Sequence, residues 1–201
     1  DTNWDDQFYL PGFNGSVGAI AYDGIGNLYV GGGFTAINGD TTIKYVAKWN
    51  GTSWSALGSG VNDGVGAIAV SGSDVYVGGW FETAGGDSAS HIAKWNGTSW
   101  SSLGNGVNSA VHSIAVIGNN VYAGGDFTIA GGVGANYIAK WNGTSWSDLG
   151  AIGSGINGDV RAIVISDSNV YAGGWFTIAG GAKANNIAKW NGTTWSALGS
   201  G

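Results

Sequence analysis

Few side chains in this sequence are equipped to do chemistry. Its 201 residues include two histidines, one arginine and no cysteine. An acid–base or nucleophilic site needs a nucleophile, a base and an orienting group brought together. Neither histidine recurs between the internal copies described below: His91 falls where other copies have Lys44, Tyr137 and Asn186, and His112 where others have Gly18, Gly66 and Arg161. No catalytic residue is assigned on that pattern. Asp40 and Asp87 follow loop glycines, but their counterparts near Val133 and Ala182 are not acidic and no Asp-x-Asp-x-Asp calcium loop occurs, so neither a metal nor a cofactor is expected. What remains suits carbohydrate. The residue after a recurring Gly-Gly pair is Gly33, Trp80, Asp126 or Trp175. A framework that accepts glycine there does not require tryptophan, and an indole face beside a carboxylate can stack on and hydrogen-bond a neutral sugar. Trp80, Trp175 and Asp126 are therefore candidate glycan contacts, with one shallow platform per unit; the competing reading packs the two indoles beneath a long loop.

Those positions recur because the sequence does. WNGTSW occupies 49–54, 95–100 and 141–146, and WNGTTW occupies 190–195, steps of 46, 46 and 49 residues. A period of that size marks supersecondary units that bury their apolar faces by stacking on one another. The second unit reads VGAIAV (65–70), VYVGG (75–79), a loop containing AGG (84–86), HIAKW (91–95) and, past Asn-Gly, TSWSSLG (98–104). Its Val, Ile, Tyr and Trp runs bounded by Gly, Ser and Asn predict four short strands, with no helical period. Asn50-Gly51 and its three copies predict a type I′ hairpin turn with the tryptophan pairs packed between units. The Gly pairs 31–32, 78–79, 124–125 and 173–174 predict close backbone approach. Asn14, Asn62, Asn108 and Asn157, each just before a first strand, are read as local turn residues.

Four-stranded antiparallel units of this length predict an all-β fold, a β-propeller of four four-stranded blades of 46–50 residues. The motif VYVGG followed by AKWNGTSW resembles the kelch-like repeats of exported bacterial surface proteins, and the resemblance covers residues 4–201. It implies the blade and says little about activity. Galactose oxidase, whose central domain has such blades, needs two His, Tyr ligands and a Tyr linked to Cys for its copper, and a chain without Cys lacks that site. WNGTSW is also similar to the Asp-box of sialidases at Gly51, Ser53 and Trp54, but Trp49 stands where its aspartate belongs, and Arg161 alone cannot form the arginine cluster of those enzymes.

The whole chain reads as one domain, 1–201, with repeats at about 4–53, 54–99, 100–145 and 146–194 and a C-terminal strand 195–201. NWDDQFYL (3–10) takes the place of SWSALG ahead of the first unit, so fourth-type strands number one more than the others. The surplus N-terminal strand, with Trp4, Phe8, Tyr9 and Leu10, could extend a blade, pair with a neighbouring molecule, or mark a longer array; donation to a neighbour would be head-to-tail and build a ring or filament. A closed four-bladed ring and an eight-bladed ring shared by two chains both remain open. A net charge of −6, with seven Lys plus Arg, argues against nucleic acid or anionic membrane as main partner, and no apolar run approaches a bilayer span of roughly 20 residues. A surface rich in Asn, Ser, Thr and Gly, in a sequence without an initiating Met, suggests an exported, extracellular or cell-surface protein. Sequons at Asn14, Asn50, Asn96, Asn142 and Asn191 are candidate glycosylation sites. The expected function is non-enzymatic and structural or adhesive, through self-association, with a lectin as the alternative.

Overall fold

The computed structural model describes residues 12–150 and 155–199. The expected surplus strand, with Trp4, Phe8, Tyr9 and Leu10, lies outside the described residues. Blade I comprises β1 (Val17–Tyr22), β2 (Leu28–Gly32), β3 (Val46–Trp49) and β4 (Trp54–Ala56). Blade II comprises β5 (Val65–Ser71), β6 (Asp74–Gly79), β7 (Thr83–Ala84), β8 (Asp87–Ser88), β9 (Ile92–Trp95) and β10 (Trp100–Ser102). Blade III comprises β11 (Val111–Ile117), β12 (Asn120–Gly125), β13 (Ile129–Ala130), β14 (Val133–Gly134), β15 (Ile138–Trp141) and β16 (Trp146–Asp148). Blade IV repeats the pattern as β17 (Val160–Ser166), β18 (Asn169–Gly174), β19 (Ile178–Ala179), β20 (Ala182–Lys183), β21 (Ile187–Trp190) and β22 (Trp195–Ala197). Each blade is a four-stranded antiparallel meander. A repeat counted from 54 to 99 therefore begins in the outer strand of the preceding blade. The segment read as a plain loop forms a two-stranded ribbon in blades II to IV, and a single bridge, Ile37 to Asp40, in blade I.

Asn-Gly joins the third and fourth strands as expected, but not through a type I′ turn. Gly51 has φ +95°, whereas Asn50 is not among the residues with positive φ. The turn spans four residues between the directly paired Trp49 and Trp54. Asn50 Oδ1 accepts from the amides of Thr52 (3.0 Å) and Ser53 (2.9 Å), and Asn96, Asn142 and Asn191 do the same. Asparagine is there for its carboxamide, which replaces backbone partners, and glycine for the left-handed backbone. The paired indoles meet tilted, with centroids 5.3–5.6 Å apart. Trp100, Trp146 and Trp195 each donate Nε1–H across the blade boundary, to the carbonyls of Leu57, Leu103 and Leu149 at 2.6–2.7 Å.

The asparagines before each first strand also differ from their reading as local turns. Asn14 Oδ1 accepts from the amides of Thr35 and Ala36; Asn62, Asn108 and Asn157 likewise reach residues 20 or 21 positions on. They clamp the entry of the innermost strand to the chain leaving the second strand.

Three of the four core clusters lie between blades; the fourth, Val30, Phe34, Ile37, Ile43 and Ala47 with Phe13 and Trp54, belongs to blade I. Tyr29, Val46 and Leu57 of blade I cluster with Val65, Val77 and Phe81 of blade II. The same arrangement joins blade II to III and III to IV. Innermost strands touch in succession, β1 with β5, β5 with β11 and β11 with β17. The outer faces of the two end blades are exposed along part of their width: Val17, Ile20 and Tyr22 on blade I, where Val30 and Ala47 farther out are buried, and Val164 and Ile187 on blade IV. The described residues thus form an arc of four blades, and the closed four-bladed ring is not what they build.

Candidate functional site at the inner wall of the arc

One extra residue in each innermost strand aims the side chains of the inner wall. Pairing skips from Val17 to Ala19, Val65 to Ala67, Val111 to Ser113 and Val160 to Ala162. The bulged residues are Gly18, Gly66, His112 and Arg161. Such a bulge interrupts the ladder and redirects its side chain. Opposite it sits the second glycine of each Gly-Gly pair. A Cβ on Gly32, Gly79, Gly125 or Gly174 would lie 1.9–2.1 Å from the carbonyl oxygen of Ser16, Gly64, Ala110 or Asp159. The next residue then donates its amide to that same carbonyl: Gly33, Trp80, Asp126 and Trp175, at 2.9, 2.9, 3.3 and 2.8 Å. Backbone geometry alone therefore sets a bulge residue beside a post-glycine residue in every blade.

The resulting pairs are Gly18 with Gly33, Gly66 with Trp80, His112 with Asp126, and Arg161 with Trp175. The blade I pair contributes no side chain beyond hydrogen, and an open depression of about 390 Å³ results, lined by Ser16, Gly18, Gly33, Trp80, His112 and Arg161 among others. Trp80 lies over Gly66 and has its ring centroid 5.4 Å from that of His112 in the next blade. His112 Nε2 is 3.6 Å from Asp126 Oδ2, an ion-pair distance beyond hydrogen-bond range. Arg161 Nη2 donates to Asp159 Oδ2 at 2.9 Å, and its guanidinium sits 4.4 Å from the Trp175 ring centroid. Burial, and then the charge of Arg161, push the His112 pKa below its ordinary value, against a smaller opposing pull from Asp126 and Asp159. His112 is accordingly a neutral imidazole at pH 7.

The three glycan candidates occupy the equivalent position in three successive blades, and of the three Trp80 lines the depression. Trp80 is half-exposed there; Asp126 turns to His112; Trp175 is 71 % exposed and stacked against Arg161. Neither indole packs beneath the long loop. His112 and Arg161 join the site although neither is among the glycan candidates of the sequence. Their signal was the aligned set Gly18, Gly66, His112, Arg161, which changes from glycine to a large polar side chain in the last two copies. His91 is placed differently from its sequence alignment: it shares φ +65° and its position with Tyr45 (φ +61°), Tyr137 and Asn186, so Tyr45 and not Lys44 is its counterpart. It lies one residue before the third strand, outside the residues lining the depression.

The repeated lysines take no part in the depression. Lys48 and Lys140 lie over the rings of Tyr29 and Tyr122 at 5.8 Å, and Lys94 pairs with Asp74 at 3.2 Å. Among the described residues no group of three His, Asp or Glu is placed to hold a metal. The sequon asparagines of the hairpin turns are exposed, whereas Asn14 spends its Nδ2–H on Thr35 Oγ1 at 2.9 Å.

No protein-family description matches the chain, and no curated protein does either. Solved structures do. The computationally designed Ika4 protein superposes with a TM-score of 0.56 at 18% identity, over 89% of this chain and 92% of that one. YCF48, solved bound to D1 peptide, superposes with a TM-score of 0.54 at 15% identity over 92% of this chain; the match spans 55% of that longer chain. Both are propellers, and at this identity the likeness concerns the fold. The protein is an all-β β-propeller.

Proposed function

We propose that the protein is a non-enzymatic structural and adhesive β-propeller of the extracellular or cell surface, built from kelch-like repeats and working by self-association. The observation that carries this reading is the uncovered apolar face at each end of the arc, where Ile20 is 64 % and Ile187 41 % exposed while their counterparts Ile114 and Ile138 are buried. Exposed apolar surface of this kind marks an interaction site. Its test is the solution mass of the chain, with and without residues 1–10, across a wide concentration range. Association lost on truncation assigns it to the terminal strand; association kept assigns it to the blade faces; a single chain in both cases sinks the reading.

A second reading, carbohydrate binding, is favoured by the depression that brings Trp80, His112 and Arg161 together. A glycan array comparing wild type with the Trp80→Ala, Trp175→Ala double variant decides it. Signals on defined glycans that vanish in the variant support a lectin; equal signals, or none, dismiss it.

A further inference from the structure

We infer that the open face of blade IV receives the open face of blade I from a second copy of the chain, and that two copies close one eight-bladed ring. The inference rests on the self-association proposed above and specifies its surface and its stoichiometry. Three blade junctions inside the chain serve as the template. At each, a valine and an isoleucine of one innermost strand enter the preceding blade beside the first glycine of its Gly-Gly pair. A Cβ on Gly31 would lie 2.4 Å from Val65 Cγ1 and 3.0 Å from Ile68 Cδ1; Gly78 meets Val111 and Ile114, and Gly124 meets Val160 and Ile163, at the same distances to within 0.1 Å. Around each insertion the receiving blade lays a tyrosine, an aliphatic residue and a leucine, as with Tyr76, Ile92 and Leu103, all buried.

Both halves of a fourth junction are present and unmatched. Gly173 heads the receiving half, and a Cβ there would meet nothing nearer than 3.8 Å. Its companions Ile187 and Leu198 are 41 % and 37 % exposed, where Ile138 and Leu149 are 0 % and 2 %. The inserting half is Val17 and Ile20, 39 % and 64 % exposed, where Val160 and Ile163 are 0 % and 8 %. The partner that fits Gly173 must bring a valine and an isoleucine on a bulged inner strand, and blade I of another copy brings them in the same register.

Copy number follows from closure. A head-to-tail contact makes a ring if its rotation closes and a filament if it does not. Rings built from this chain hold four, eight or twelve blades. The described residues leave four unclosed, and propellers run from about four to eight blades, so a closed ring means two chains.

Light scattering on the wild-type chain, over a hundredfold range of concentration, is expected to plateau at twice the 20.3 kDa chain mass. Gly173→Leu has room within its own blade and is expected to abolish the two-chain species while leaving the strand signal in circular dichroism unchanged. Val17→Cys with Gly173→Cys, in a chain that has no other cysteine, is expected to form covalent dimers and no larger ladder under oxidation. A single chain throughout overturns both the ring and the self-association beneath it, and assigns the faces to a different partner or to further blades. Open-ended growth, or a dimer indifferent to Gly173→Leu, overturns the ring and leaves self-association standing.

Discussion

His91 carries a conformational cost that is legible in the repeat itself. At φ +65° a β-carbon crowds the following carbonyl, which costs an L-residue other than Gly, Asn or Asp about 1–2 kcal/mol. Blade IV has Asn186 at this place, with the same φ, while blades I to III have Tyr45, His91 and Tyr137. His91→Asn is therefore expected to raise stability by about 1 kcal/mol, or roughly 2–4 °C in thermal midpoint for a chain of this size. An unchanged or lower midpoint would mean that packing of the imidazole outweighs the backbone strain. His112 offers a different readout. Burial and the Arg161 charge hold its folded-state pKa below the ordinary 6.5, so the unfolded chain takes up a proton first as pH falls. Its contribution to stability is fully present above about 6.5 and disappears as pH drops through the folded value. Midpoints measured from pH 7.5 to 5 are expected to decline less steeply in His112→Gln than in wild type; parallel curves would assign the decline to other groups.

Among the elements, the clamp between strand entry and ribbon decides how well a blade holds its inner wall. Asn108 Oδ1 takes the amides of Thr128 and Ile129, both at 2.9 Å. Asn108→Ala removes both acceptor contacts, leaves two amides to be satisfied by water, and is expected to cost about 1 kcal/mol. Asn108→Asp keeps the acceptors, gains one for Thr128 Oγ1, and is expected to stay near wild type. Equal losses in the two variants would refute the clamp. The same asparagine shows why sequence reading stops where it does. The strands β5, β6 and β9 were legible because alternating Val, Ile and Tyr bounded by glycine is a local pattern. The clamp bonds across about twenty residues and leaves no local trace, so a long-range tie looks like a turn. A two-residue ribbon such as β7 with β8 is too short to show any alternation. The bulge was hidden as well: nothing in VGAIAV separates six paired residues from five with one to spare. Yet the bulge places His112 and Arg161, so two of the five site residues were out of reach while Trp80, Asp126 and Trp175 were not.

At the scale of the whole molecule, an arc differs from a ring in having ends, and ends are where stacked units loosen first. Blades II and III have a neighbour on both faces; blades I and IV have one neighbour each within the chain, with Ile20, Tyr22, Val164 and Ile187 left exposed. In stacked repeats stability is approximately the sum of each unit and its nearest-neighbour contacts, so a missing contact acts on the terminal unit. Sequence could not settle this, because four near-identical blades look the same whether or not the last meets the first. Amide hydrogen exchange reads it directly. At concentrations where the chain is single, amides of β18 and β21 are expected to exchange about tenfold or more faster than those of β12 and β15, the equivalent strands of blade III, since each tenfold corresponds to about 1.4 kcal/mol of opening free energy. The pairing is otherwise matched: Gly173 faces Ile187 as Gly124 faces Ile138. Uniform protection in the single chain would show that the end faces are covered after all. If concentration then drives two chains together, protection of β18 and β21 should rise to the level of β12 and β15 while the central blades hardly change. That selective gain is the signature of a face being covered, and it separates blade-face mating from a terminal strand adding elsewhere.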